Sequence, residues 1–113
     1  MTENELARKF GEFLTAKKGY PKESILTQSP IGDSSRTNTS GKRYVADMML
    51  LDLERGVYLA LIEVKVNEFI VPAAISQIRR YLTILQKPSM PAYLITAAKE
   101  TKIEFESFRN GPR

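Results

Sequence analysis

Apolar positions recur every three to four residues in two segments of the chain, which is the spacing of an amphipathic helix. The first segment, residues 2–18, carries Leu6, Phe10, Phe13 and Leu14. Thr2 or Asn4 would cap this helix, and Gly19 would end it. The second segment, residues 70–85, carries Ile70, Ala74, Ile78, Tyr81, Leu82 and Leu85. The pattern therefore predicts two helices.

Shorter apolar segments bounded by turn residues have the character of β-strands. They cover residues 24–28, 45–52, 59–65, 92–96 and 102–108, the last alternating like an edge strand. The helix between the third and fourth strands is long enough for a right-handed crossover between parallel strands. We therefore predict an α/β fold, a mixed β-sheet flanked by helices with an α-β-β-β-α-β core. The chain, residues 1–113, is expected to form a single domain.

Polar residues interrupt the two central strands: Asp47 in the first, Glu63 and Lys65 in the second. Side chains two apart in a strand share a face, so Glu63 and Lys65 project to the same side. A three-residue loop, Glu54-Arg55-Gly56, would pair Leu53 with Val57 and place Asp47 opposite Glu63, unless a bulge shifts the register by a residue. Directly opposed like charges are destabilising, so two facing acids need a cation.

Carboxylate oxygens, completed by water and substrate phosphate, are the ligands that Mg²⁺ takes. Asp47 and Glu63 are the predicted ligands, with the backbone carbonyl of Val64 as a further oxygen, and Mn²⁺ is expected to substitute for Mg²⁺. The strand that carries Glu63 and Lys65 is predicted to be buried on both sides, and buried charges are usually paired or metal-bound. A structural ion pair between Glu63 and Lys65 is the alternative, but it leaves Asp47 unexplained.

Composition narrows the chemistry that the chain can perform. With 113 residues, 42% of them hydrophobic, it can bury one core. It has no Cys and no His, which excludes thiolate sites, histidine-based catalysis and most zinc sites. The net charge of +4 permits a polyanionic partner without requiring one. Since it has neither a secretory leader nor an apolar run long enough to span a membrane, we expect a cytoplasmic protein without membrane contact.

In their order along the chain, Asp47 and Glu63-Val64-Lys65 resemble the PD-(D/E)XK nuclease superfamily, most closely the N-terminal nuclease domain of type I restriction enzyme R subunits. Supporting segments are residues 19–25, 42–47 and 77–81, so the resemblance covers most of the chain. Ala46 stands where the superfamily's name has proline. Many members of the superfamily also lack this proline. The resemblance implies a restriction-endonuclease-like fold and a Mg²⁺-dependent DNA endonuclease of restriction or repair type.

The resemblance also implies roles for individual side chains. Asp47 and Glu63 would hold the metal, and Lys65 would orient or deprotonate the attacking water, or stabilise the developing negative charge. Many members have a further acid on the first helix; Glu5 is the best placed match, with Glu12 as its rival.

Gln77 and Tyr81 are four residues apart and therefore share one helix face. They match a Gln-x-x-x-Tyr motif that, in such nucleases, looks onto the active site. Gln77 would then position metal-bound groups or the substrate backbone. Tyr81 would help to bind the DNA, or would simply belong to the core.

Basic residues supply the remaining predicted DNA contacts. Arg36, Lys42 and Arg43 lie in or beside a loop rich in Ser, Thr and Gly, while Arg79 and its neighbour Arg80 lie on the second helix. A surface loop and a solvated helix face explain these residues equally well.

The rival functional class is a non-cleaving DNA-binding or assembly module with a nuclease-like fold. The intact set of Asp47, Glu63 and Lys65 favours the nuclease. A charge of +4 is too modest to imply tight DNA binding alone, so a homodimer or a larger restriction or repair complex is a candidate partner arrangement.

Overall fold

The computed structural model describes residues 2–31, 44–66, 71–99 and 102–108. Along the chain the elements are α1 (Glu3–Lys18), a 3₁₀ turn (Lys22–Ser24), β1 (Ile25–Pro30), β2 (Val45–Asp52), β3 (Val57–Lys65), α2 (Val71–Ile84), β4 (Ala92–Lys99) and β5 (Lys102–Phe108). The predicted order of helix, strand, hairpin, helix, strand, strand is confirmed. So is the α/β fold class, a mixed sheet flanked by helices.

The five strands form one sheet in the order β1-β2-β3-β4-β5. Among the described strands, β3 and β4 are the neighbours that run parallel, and α2 lies between them in the sequence. The other neighbours are antiparallel, and β5 lies at an edge, as predicted. This topology makes β3 the central strand, and its residues from Ala60 to Val64 are buried.

The two helices cover opposite faces of the sheet, and alternate residues of β3 are divided between them. Leu61 lies in the core formed with α2, which also contains Ile78 and Tyr81. Ile62 and Val64 lie in the second core, with Leu6 and Leu14 of α1. Since Glu63 alternates with Ile62 and Val64, it faces α2 rather than α1.

Both ends of α1 follow the local signals in the sequence. Of the two candidate caps, Thr2 is the one used: its Oγ1 accepts a hydrogen bond from the Glu5 amide at 3.1 Å. Gly19 ends the helix at a φ of 78°, which glycine adopts without steric cost. Within the described ranges, no helix combines the length and the hydrophobicity needed to cross a membrane.

The turn between β2 and β3 differs from the predicted three-residue loop. Asp52, rather than Leu53, pairs with Val57. The reason is that Asp52 Oδ1 accepts hydrogen bonds from the amides of Glu54 and Arg55, at 3.0 and 3.1 Å, and so stabilises a longer turn. Gly56 closes the turn with a φ of 68°.

A register shift between Leu50 and Leu51 compensates for the longer turn. Beyond it, Met48 pairs with Ile62, as the predicted register requires. A bulge therefore restores the predicted register of β2 against β3 on the side of the hairpin where Asp47 and Glu63 lie.

Candidate metal centre

The candidate centre lies where the β2–β3 ladder stops, one residue beyond the pair of Met48 and Ile62. The Asp47 amide donates to Glu63 Oε1 at 3.1 Å, and the Val64 amide donates to Asp47 Oδ2 at 2.7 Å. Each carboxylate thus binds a backbone amide of the opposite strand. These two bonds hold both carboxylates in place and leave Asp47 Oδ1 and Glu63 Oε2 as the second oxygens.

Glu63 is an ionisable group in the interior of the protein, with only 1% of its surface exposed. Burial, followed by the negative charge of Asp47, raises the pKa of Glu63 to about 8, while Lys65 lowers it. Without a cation, the pair therefore retains a proton near neutral pH.

Lys65 lies on the same side of β3 as Glu63, as the spacing of two residues predicts. Its Nζ is 4.0 Å from Glu63 Oε2, and 18% of its side chain is exposed. The ion pair proposed as the structural alternative is thus present at long range. It does not neutralise Asp47, which is half-buried beside the same carboxylate.

Gln77 and Tyr81 connect α2 to β2 next to Asp47. Gln77 Nε2 donates to the Tyr81 hydroxyl at 2.6 Å, and that hydroxyl donates to the Val45 carbonyl at 3.2 Å. Tyr81 is 2% exposed, and burial followed by the charge of Glu63 raises its pKa to about 12. Tyr81 is therefore a core residue and also the hydrogen-bonding link between the helix and the strand that carries Asp47.

An open cleft of about 520 Å³ lies between α2 and the end of β3. Its lining consists of Lys65, Ala73, Ala74, Ser76, Gln77 and Arg80. Because Lys65 and Gln77 belong both to this lining and to the surroundings of the acid pair, the cleft opens next to the candidate centre. Ser76 had no assigned role on sequence grounds, although its position four residues before Arg80 is a detectable signal.

Other predicted site residues are not brought together with the acid pair. Glu5 is exposed on α1, which packs against the opposite face of the sheet from Glu63. In the described part of the chain, no three Asp, Glu, His or Cys side chains form a group that could hold a metal. Arg79 is exposed and does not line the cleft. Arg36, Lys42 and Arg43 lie outside the described residues.

The donor set of the acid pair fits a hard divalent cation. Asp47 and Glu63 supply two carboxylates whose mutual repulsion a cation would relieve, and Mg²⁺ is commonly held by one or two carboxylates with water and phosphate oxygens. The amide of Val64 is used in binding Asp47, and its carbonyl remains a predicted ligand. These residues therefore supply part of an oxygen coordination sphere, which water and a phosphate would complete.

Comparison with known proteins supports the fold. No protein-family model matches the chain, and no curated protein matches it either. The crystal structure of SSO0001 is similar to it, with a TM-score of 0.57 at 14% sequence identity. The match covers 97% of this chain and 50% of the SSO0001 chain, so this chain spans about half the length of that protein. At this identity the similarity shows a shared fold alone.

Proposed function

We propose that the chain is a metal-dependent DNA endonuclease of restriction or repair type and a member of the PD-(D/E)XK superfamily. The observation that carries this proposal is the pair of Asp47 and Glu63 on the neighbouring strands β2 and β3, with Glu63 buried and Lys65 beside it. Two acids in such close contact do not favour stability, because the charge of Asp47 disfavours ionisation of Glu63. A site for a cation accounts for both acids together.

Each residue near the acid pair would have its own role in phosphodiester hydrolysis. Asp47 and Glu63 would hold the metal, each kept in position by a backbone amide. A bound Mg²⁺ would neutralise the scissile phosphate and lower the pKa of a coordinated water. Lys65 would lie beside the phosphate, where it would orient the attacking water or stabilise the developing negative charge. Gln77, held against Tyr81, would position the substrate backbone at the same opening.

The proposed setting is the cytoplasm, with the chain acting on DNA as a homodimer or within a larger restriction or repair complex. The rival function is a DNA-binding or assembly module that does not cut. A nuclease and a DNA-binding module both predict DNA binding, so a cleavage assay is needed to separate them.

The test is cleavage of supercoiled plasmid and of linear and branched duplexes in Mg²⁺, Mn²⁺ or EDTA. The variants are Asp47→Asn, which keeps the size and an oxygen acceptor but removes the charge, and Lys65→Ala. The control is Glu54→Gln, a charge change in the turn at the other end of the hairpin. Wild type and control should cut only with metal, and both site variants should lose about a hundredfold or more in rate.

Two outcomes would contradict the proposal. If folded wild type binds DNA but does not cut with either metal, the chain is a binding or assembly module. If Asp47→Asn cuts as fast as the control variant, any nuclease activity present does not depend on the Asp47–Glu63 pair.

A further inference from the structure

The cleft beside the acid pair brings two cationic side chains to one small cavity. Lys65 reaches it from the end of β3, and Arg80 reaches it from α2. Ala73 and Ala74 also line the cavity, and their short side chains take up little of its space. Two positive charges on the same cavity repel each other, so an anion placed between them would be favoured.

Arg80 has the properties of an anion contact. It is exposed, and no carboxylate in the described ranges lies within ion-pair distance of it. Its guanidinium offers a planar pair of donors that matches a phosphate group. By contrast, the arginines Arg8 and Arg55 each have an acidic partner four or three residues away in the sequence, Glu12 and Asp52.

Helix geometry distinguishes Arg80 from its neighbour. Residues three and four apart lie on one face of a helix, so Ser76, Gln77 and Arg80 face the cleft together. Arg79 is turned about 100° away on the helix and does not line it. Of the two arginines on α2 that were predicted to contact phosphate, Arg80 is therefore the one that lines the cleft.

We infer that this cleft binds a backbone phosphate of a DNA strand through Arg80, Lys65 and the Ser76 hydroxyl, next to the phosphate that is cut. This inference rests on the proposed nuclease function, since it places a second phosphate of the same strand beside the acid pair. The shared residues Lys65 and Gln77 make the two positions neighbours. Contacts to phosphates carry no base information, so the cleft fixes the strand's position without reading its sequence.

The test is the salt dependence of binding to a short fluorescent DNA duplex, measured in EDTA so that no cleavage occurs. The variant is Arg80→Ala, and the matched control is Arg55→Ala, an exposed arginine in the β2–β3 turn. Six residues of strand, Val57 to Ile62, separate Arg55 from the level of Glu63, a distance of about 20 Å at about 3.3 Å per residue. Because both variants remove one positive charge, a difference between them reports position rather than net charge.

Arg80→Ala should reduce the slope of log affinity against log salt by about 0.9 and weaken binding about five- to tenfold at moderate salt, equally for unrelated sequences. Arg55→Ala should leave the slope unchanged. Arg80→Lys should recover most of the slope, because it keeps the charge, but less of the affinity, because it loses the paired donors. Circular dichroism would verify that each variant is folded.

Equal slopes for Arg80→Ala and Arg55→Ala would overturn the inference, whatever the cleavage assay shows. So would the absence of any duplex binding by wild type. A lower slope for Arg80→Ala in a protein that never cuts would uphold the phosphate contact while the proposed nuclease activity fails, so the two failures are distinguishable.

Discussion

Replacing Glu63 with glutamine should stabilise the metal-free protein, and the gain should grow as the pH rises. Burial raises the pKa of Glu63 from its ordinary value of 4.5 to about 8. Below about pH 4.5 the group is neutral in both the folded and the unfolded chain. Above that pH the unfolded chain ionises first, so the folded state loses stability until the pH reaches about 8, where Glu63 ionises in the folded protein too.

The magnitude follows from the two pKa values. One pKa unit corresponds to about 1.36 kcal/mol, so the rise from 4.5 to about 8 disfavours the folded, ionised protein by about 5 kcal/mol at high pH. Between about pH 5 and pH 8 the change is about 3 kcal/mol. Glu63 is only 1% exposed, so solvent does little to screen this cost. Glutamine keeps the oxygen that accepts from the Asp47 amide and removes the ionisable group.

The assay is urea denaturation in EDTA at several pH values, with the free energy of unfolding obtained by linear extrapolation. The quantity to follow is the difference between Glu63→Gln and wild type, since every other titrating group contributes to both proteins. That difference should widen by about 3 kcal/mol across the range. A difference that stays constant within about 0.5 kcal/mol would refute the reasoning, because Glu63 would then titrate normally in the folded protein.

Asp47→Asn serves as the second control. Burial is the larger cause of the raised pKa and the charge of Asp47 the next. In the Asp47→Asn background, the stability gained by Glu63→Gln should therefore still grow with rising pH, but by less than in wild type. A gain that no longer depended on pH in this background would show that the carboxylate contact, and not burial, dominates.

Two further predictions concern stability elsewhere in the fold. Tyr81→Phe removes the hydroxyl that donates to the Val45 carbonyl and accepts from Gln77, and should lower the free energy of unfolding by about 1 to 2 kcal/mol in urea titrations; an unchanged value would mean that water replaces both bonds. Gly19→Ala should destabilise the protein by about 1 kcal/mol, because the φ of 78° strains alanine although nothing lies within 4 Å of the added methyl. Gly11→Ala should instead raise the free energy of unfolding, by about 0.5 to 1 kcal/mol, because alanine loses less backbone freedom in a helix than glycine and its methyl would make an ordinary 3.6 Å contact with the Met48 side chain; the same sign for both glycines would contradict this account.

Much of the fold was predictable because its signals are local. The spacing of Leu6 and Leu14 marks α1, and the cap at Thr2 and the φ of Gly19 depend only on neighbouring backbone. The apolar run of β3 identified the central strand, because a strand covered on both faces has few polar positions. The acids stood out for the same reason, as charges within an otherwise apolar run.

The turn between β2 and β3 was harder to predict, because a loop of three residues and a loop of four differ by a single residue. Asp52 accepts two amide hydrogen bonds and lengthens the turn, and the register shift at Leu50 and Leu51 restores the pairing further along. Each effect is small, and packing of Met48 and Ile62 in the core against α1 favours the register that results. A register depends on which face of each strand is buried, and this is known only when both strands are placed.

By itself, the sequence determined the order of helices and strands and the chemical character of the candidate site, because periodicity, caps and buried charge are properties of short segments. Only the tertiary structure decided that Asp47 and Glu63 each bind the other strand's backbone, that Glu5 lies across the sheet from Glu63, and that Arg80 rather than Arg79 lines the cleft. Those outcomes depend on which face each helix packs against and on how each helix is rotated about its axis. Both are set by contacts between residues far apart in the chain.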